Sequence, residues 1–125
     1  MGELNAIDFF CGCGGLSLGF EMAGFDVPCG IDNDVTAAKT YEENHKSAKF
    51  LRLDLTSPSV KSEIDKAVST TEIAGIVGGP PCQPFSKSGY WHLGDAKRLA
   101  DPRANTLREF LRVLEDTLPK VFLLE

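Results

Sequence analysis

The sequence predicts an α/β domain, a mostly parallel sheet with helices on both faces, and three observations carry that expectation. Strand-like apolar runs and helical stretches alternate five times along the chain. The run Ile73-Ala74-Gly75-Ile76-Val77 has the length and β-branching of a strand covered on both faces. Glycines or acids close the runs: Gly12, Gly14 and Gly15 after the first, Asp32 after the second, Asp54 at the end of the third, Gly78 and Gly79 after the fourth. In open α/β sheets, binding and reacting groups gather just past the carboxyl ends of the strands.

The elements follow in order. Ala6–Phe10 reads as the first strand, Cys11–Gly15 as a glycine turn, and Leu16–Phe25 as a helix with Leu16, Phe20 and Ala23 on one face and Gly24 as its stop. Such a turn lets backbone amides and a helix N-terminus approach a polar ligand group, although it could equally be a tight strand-to-helix connection. Val27–Ile31 forms the second strand, ending in Asp32-Asn33-Asp34, and a helix opens near Thr36 and runs toward His45. Asp32, some twenty residues after the glycine turn, is placed to accept from the hydroxyls of a ribose; capping the helix is its other use, and is the reading for Asp34.

Phe50–Asp54 gives a third short strand. A helix from about Val60 to Val68 follows, opened by Ser57, Pro58 and Ser59, with Lys61, Glu63, Asp65 and Lys66 on a solvated face. After the Ile73 strand the chain turns through Gly78-Gly79-Pro80-Pro81 to Cys82. From Phe85 to Ala104 there is little periodicity, the pattern of a functional or mobile loop. Leu107, Phe110, Leu111, Leu114 and Leu118 then repeat at helical spacing as a core stripe ended by Pro119, and Lys120–Leu124 is a fifth strand delivering Glu125. His45 and His92 stand in no metal-ligand spacing and read as surface residues.

Composition narrows the function. With 125 residues, 42% hydrophobic and 25% charged, the chain suits one small globular domain, not a disordered segment. No apolar run nears the roughly 18 residues needed to span a bilayer, and no signal peptide stands at the N-terminus, so a cytoplasmic protein is expected. Cysteines 11, 13, 29 and 82 lack Cys-x-x-Cys spacing, so reduced thiols and no metal site are expected. A net charge of −5 argues against a free-standing DNA binder. Between Pro80 and Arg103, Lys87, Lys97, Arg98 and Arg103 outnumber Asp95 and Asp101, which suits phosphate contacts or simply a solvated loop.

Cys82 alone could be inert packing, as many free cysteines are. Prolines at 80, 81 and 84 fix the backbone around it, however, and a thiol held at a strand end is a candidate nucleophile. Gly79-Pro80-Pro81-Cys82-Gln83-Pro84-Phe85-Ser86 resembles, without a gap, the catalytic motif of the cytosine-5 DNA methyltransferases. Asp8-Phe9-Phe10-Cys11-Gly12-Cys13-Gly14-Gly15-Leu16-Ser17-Leu18-Gly19-Phe20 is similar to the first motif of the same family, and the two keep family order.

The resemblance implies a Rossmann-like S-adenosylmethionine-dependent methyltransferase fold. It implies that the Cys82 thiolate adds to carbon 6 of a cytosine flipped out of double-stranded DNA, so that carbon 5 takes the methyl group of S-adenosylmethionine. Cofactor contacts are implied at Phe10, Gly12, Cys13, Gly15, Asp32, Asn33, Asp54, Leu55 and Pro81, and at Thr106 or, with one slip of alignment, Leu107. In the family an aromatic residue often follows the ribose acid, where this chain has Asn33. Asp54 matches the position that accepts from the adenine amino group. Gln83, Ser86, Lys87, Ser88 and Arg103 are implied DNA contacts, and Tyr90 and Trp91 either pack the loop or touch DNA. Glu125 aligns with the glutamate that hydrogen-bonds the cytosine.

The resemblance covers nearly all of residues 1–125 and reads as the N-terminal part of a catalytic domain, incomplete at its C-terminus and without a target-recognition domain. The chain is then expected to be inactive alone, completed by a C-terminal segment or a second subunit, with an adhesive outer edge on its fifth strand. A bacterial restriction-modification enzyme working at the nucleoid is the leading expectation. A transfer-RNA cytosine-5 methyltransferase, and a non-catalytic cofactor-binding subunit, are the alternatives.

Overall fold

The computed structural model describes residues 4–55, 57, 60–69, 72–80 and 104–125. Their elements are β1 (Asn5–Phe9), α1 (Gly15–Met22), β2 (Asp26–Asp32), α2 (Val35–Asn44), β3 (Lys49–Arg52), α3 (Lys61–Ser69), β4 (Ile73–Gly78), α4 (Ala104–Thr117) and β5 (Val121–Leu124). The five strands form one sheet in the order β3-β2-β1-β4-β5, and every neighbouring pair is parallel. The chain starts at the centre of the sheet, winds outward to β3, then returns to the other side of β1. This places the topological switch point, where ligands enter such sheets, between the ends of β1 and β4.

Alternation along β1 divides the helices between the two faces. Ile7 and Phe9 join Ile31, Ile64, Ile76, Phe110 and Val113 in an apolar cluster, which puts α3 and α4 on one face. The Phe9 and Phe110 rings meet edge to face at 6.0 Å. Asp8 points to the opposite face, where α1 and α2 lie, and bonds Ser17 of α1. All five β1 residues are buried, as a strand covered on both sides requires.

Two expected faces differ from the sequence pattern. On α4 the buried residues are Thr106, Phe110 and Val113, flanked by half-buried Leu107 and Leu114, while Leu111 and Leu118 are exposed. A stripe advancing 100° per residue passes through 106, 110 and 113, and the leucine count had pulled it off centre. Leu118 instead occupies a left-handed turn with φ 46°, donating its N–H to Leu114 O as the helix closes before Pro119. On α1 the fully buried residue is Ser17; Leu16 and Phe20 are half-buried and Ala23 is exposed. Gly24 does end that helix, with φ 95° and its N–H on Glu21 O. The β5 edge strand exposes Val121, Phe122, Leu123 and Leu124, each by more than two fifths.

Candidate active site

The glycine turn is built from left-handed residues: Phe10 (φ 59°), Gly12 (φ 53°) and Gly14 (φ 99°). Glycine takes such angles freely, but for Phe10 they cost on the order of 1 kcal/mol, a strain of the kind kept at binding sites. Cys11 N–H donates to Ile31 O at 3.1 Å, and Gly14 N–H to Cys11 O at 2.9 Å, so the turn is pinned to the end of β2. Asp32, at that end, accepts from Gly12 N–H at 2.8 Å through Oδ2 and from Asn33 N–H at 2.7 Å through Oδ1. Each carboxylate oxygen has a second lone pair, so Asp32 retains acceptor capacity toward a ligand.

Among the described residues, a Cβ built on Gly12 or Gly15 would meet nothing within 4 Å, so none of them fills the space in front of the turn. Behind it, a Cβ on Gly14 would strike the His45 imidazole and the Tyr41 ring, 2.9 Å from Tyr41 Cδ2. His45 is thus not a surface residue: it is buried, stacked on Tyr41 with centroids 4.4 Å apart, and its Nδ1 lies 3.1 Å from Glu21 Oε1. Its place at the C-cap of α2 turns the ring toward α1, a tertiary contact that no metal-spacing argument detects.

Helix α1 has a glycine N-cap and no side-chain cap of its own. The cap comes from β1, where Asp8 Oδ2 accepts from Ser17 N–H at 3.0 Å and from Ser17 Oγ–H at 2.7 Å. Burial raises the Asp8 carboxyl from 3.8 to about 6, against the lowering effect of the Ser17 bonds, with the Asp32 charge adding to the rise. A carboxylate already occupies this helix N-terminus, so the turn favours a cationic or zwitterionic ligand over a pyrophosphate. Burial likewise pushes the Cys29 thiol up to about 11 and the Cys11 thiol far above its ordinary range, with the Asp8 and Asp32 charges adding to the Cys11 rise. Neither has thiolate character.

The other expected site residues divide by exposure. Cys13 and Asn33 are exposed at the mouth, and the Asn33 carbonyl accepts from Arg52 Nε at 3.4 Å. Asp54 lies two residues past the end of β3, exposed, in a cleft of about 260 Å³ lined by Arg52, Leu53, Ser57, Val60 and Glu63 as well. Leu55 and Thr106 are buried, and Leu107 is half-buried. Asp34 is the N-cap of α2, accepting from Thr36 and Ala37 N–H at 2.8 and 3.1 Å, as its position suggested. Pro81, Cys82, Gln83, Ser86, Lys87, Ser88, Tyr90, Trp91, His92 and Arg103 lie outside the described residues.

Glu125 donates its backbone N–H to Gly78 O at 3.0 Å. That bond sets Glu125 beside the Gly78-Gly79-Pro80 exit of β4, the segment that leads directly into Cys82. Residues 4–125 match the family model described as C-5 cytosine-specific DNA methylase. The chain belongs to this family. Among curated methylases it is 38% identical over 122 residues to the type II methyltransferase M.FnuDI of Fusobacterium nucleatum, covering 98% of this chain and 32% of that protein. It is 35% identical to the type II methyltransferase M.HgiGI of Herpetosiphon aurantiacus, covering 98% and 89%. A solved E. coli structure described as a DNA modification methyltransferase encoded within a prophage superposes with a TM-score of 0.76 at 33% identity, over 98% of this chain and 31% of that one. The methylase chain thus spans about a third of the length of M.FnuDI.

Proposed function

We propose that the chain carries the cofactor-binding and nucleophile part of a DNA cytosine-5 methyltransferase of a bacterial restriction-modification system, working on double-stranded DNA in the cytoplasm at the nucleoid. The observation that carries this reading is the bond from Glu125 N–H to Gly78 O, which holds the ends of β4 and β5 side by side in a family member whose next residues after Pro80 are Pro81 and Cys82. Among the described residues no helix is long and apolar enough to cross a membrane.

S-adenosylmethionine fits the residues present, and when bound it supplies an electrophilic methyl group. Its zwitterionic methionine end suits the open glycine turn, whose helix is already capped by Asp8, with Phe10, Gly12, Cys13 and Gly15 around it. Asp32 is free to accept from ribose hydroxyls through its unused lone pairs, and Asp54 would face the adenine. Asn33, Leu55, Pro81 and Thr106 or Leu107 complete the assignment.

The chain's own residues would act on a flipped cytosine. Cys82 thiolate adds to carbon 6, and Glu125 hydrogen-bonds nitrogen 3 and the amino group as charge builds on the ring. Carbon 5 would take the methyl group, with S-adenosylhomocysteine as leaving group; a base then removes the carbon 5 proton, the freed electron pair re-forms the carbon 5–carbon 6 double bond, and the carbon–sulfur electrons leave with the Cys82 thiolate. Gln83, Ser86, Lys87, Ser88 and Arg103 would hold the DNA backbone and base. A C-terminal segment or second subunit completes this part, and the apolar β5 edge is the surface it would cover.

The test uses 5-fluorocytosine DNA, from which the last proton cannot leave. The chain mixed with its complement should trap a covalent adduct, and Cys82→Ser should trap none while still binding cofactor. Adduct formation by the variant would overturn the choice of nucleophile, and adduct formation by the chain alone would overturn the need for a complement; the raised thiols of Cys11 and Cys29 argue against them as substitutes.

A further inference from the structure

Four buried side chains behind the glycine turn have no part in the reaction described above. Asp8, Ser17 and Tyr41 are fully buried and His45 is 5% exposed. Their order follows from the donors: Ser17 Oγ–H is committed to Asp8 Oδ2 at 2.7 Å, so at 3.0 Å from Tyr41 Oη it accepts the phenol proton. Tyr41 carries His45 one turn along α2, and His45 reaches Glu21, one turn beyond Ser17 on α1. Two side chains from each helix thus face two from the other across a seam joined by the Ser17–Tyr41 and His45–Glu21 polar contacts.

This seam touches the site at two points. The Tyr41 and His45 rings close the space behind Gly14, and Tyr41 Oη with Cys11 Sγ closes the space over Gly30, a Cβ there meeting both at 2.8 Å. Gly14 begins α1, and Gly30 stands two residues before Asp32. The front of the turn is joined to Asp32 by the Gly12 bond, and the back by Tyr41. Among the described residues Asp8 Oδ1 has no hydrogen-bond partner, so the network is not the minimum-cost way to fill this space with protein. An apolar seam would pack as well and leave no orphaned oxygen.

We infer that Asp8, Ser17 and Tyr41 are positioning residues for the cofactor turn: their hydrogen bonds fix the start of α1 against β1 and α2, so that the turn and Asp32 reach the ligand as one rigid unit. This rests on the assignment of S-adenosylmethionine to the turn.

The experiment measures amide hydrogen exchange of the chain by NMR and its affinity for S-adenosylhomocysteine by calorimetry. Tyr41→Phe keeps the ring and removes one neutral hydrogen bond, so the Ser17 amide should exchange about three- to tenfold faster and the dissociation constant should rise by a similar factor. Asp8→Ala should speed Ser17 exchange more than tenfold, while Asp8→Asn, which keeps an acceptor, should stay within about threefold of wild type. Ile64→Val, in the apolar cluster on the other face, is the matched control: it lowers the melting temperature but should change neither readout. Unchanged exchange at Ser17 in Tyr41→Phe overturns the relay whatever the ligand does. Faster exchange with unchanged affinity overturns its positioning role. Wild-type chain that binds no S-adenosylhomocysteine even with its complement present, with exchange responding as expected, overturns the cofactor assignment and the purpose given to the relay, leaving the relay itself as structure.

Discussion

The two faces of the central strands are packed by opposite chemistries. On one, Ile7, Phe9 and Ile31 meet Ile64, Phe110 and Val113 in an apolar layer that tolerates small shifts because its contacts have no required direction. On the other, Asp8 and the bare backbone of Gly30 meet Ser17, Tyr41 and Cys11, whose fit depends on hydrogen-bond angles and close approach. The apolar face holds the sheet together. The polar face fixes where the glycine turn sits.

Three substitutions would break or sharpen that contrast, beginning with the largest effect. Phe110→Ala removes a fully buried ring from the apolar face and should destabilise the chain by about 3–5 kcal/mol in denaturant unfolding. If the faces are independent, exchange at Ser17 in the fraction still folded stays as in wild type; a change there would show that the apolar layer also sets the turn.

Next in size is the pH dependence of Asp8. Its folded carboxyl, raised to about 6, holds a proton that the unfolded chain has already lost above 3.8. The stability from this site is therefore fullest below the unfolded value and is lost as pH rises through 6, a change of about 3 kcal/mol for a shift of about two units. Asp8→Asn should flatten that part of the stability profile measured between pH 4 and 7. A variant profile with the wild-type slope would mean that the slope comes from other groups.

The smallest effect tests the exposed start of α2, away from the hydrogen bonds of the polar face. Asp34→Ala removes two N-terminal hydrogen bonds from α2 at an exposed position and should cost about 1 kcal/mol. Loss of affinity for S-adenosylhomocysteine beyond that amount would show that α2 transmits strain to the turn from its N-terminus as well as through Tyr41.

The contrast also explains what the sequence made legible. The elements themselves are written in short-range patterns: β-branched runs for strands, a Gly24 stop for α1, an Asp34 cap for α2. These placed the five strands, the four helices between them and their parallel arrangement. Strand ends were readable too, because Gly12, Asp32 and Gly78 are residue types that punctuate. The polar face was not readable. Ser17 looked like one more position on a helix, and His45 like a solvated end, because their roles depend on partners 9 and 24 residues away. The one local signal was Asp8 itself, an acid in the middle of an otherwise apolar strand, which must find a donor when buried. Leu111 and Leu118 were misplaced for the converse reason: leucine identity outweighed angular position on α4.

Strand order has a consequence for how the molecule assembles. β1, β2 and β3 are joined by short connections and can pair, with α1 and α2, from a contiguous stretch of chain. The central β1–β4 pairing, in contrast, brings Ile7 beside Ile76. Closing a loop of that size costs about 4 kcal/mol of chain entropy before any contact repays it. Non-local parallel pairing of this kind forms slowly in general, so the β1–β4 junction is expected to close after the local pairs. During synthesis the polar seam would then form early, with β1 still bare along its β4 edge. The switch point between β1 and β4 exists only once β4 has paired, so this end of the sheet would be the last to acquire its shape.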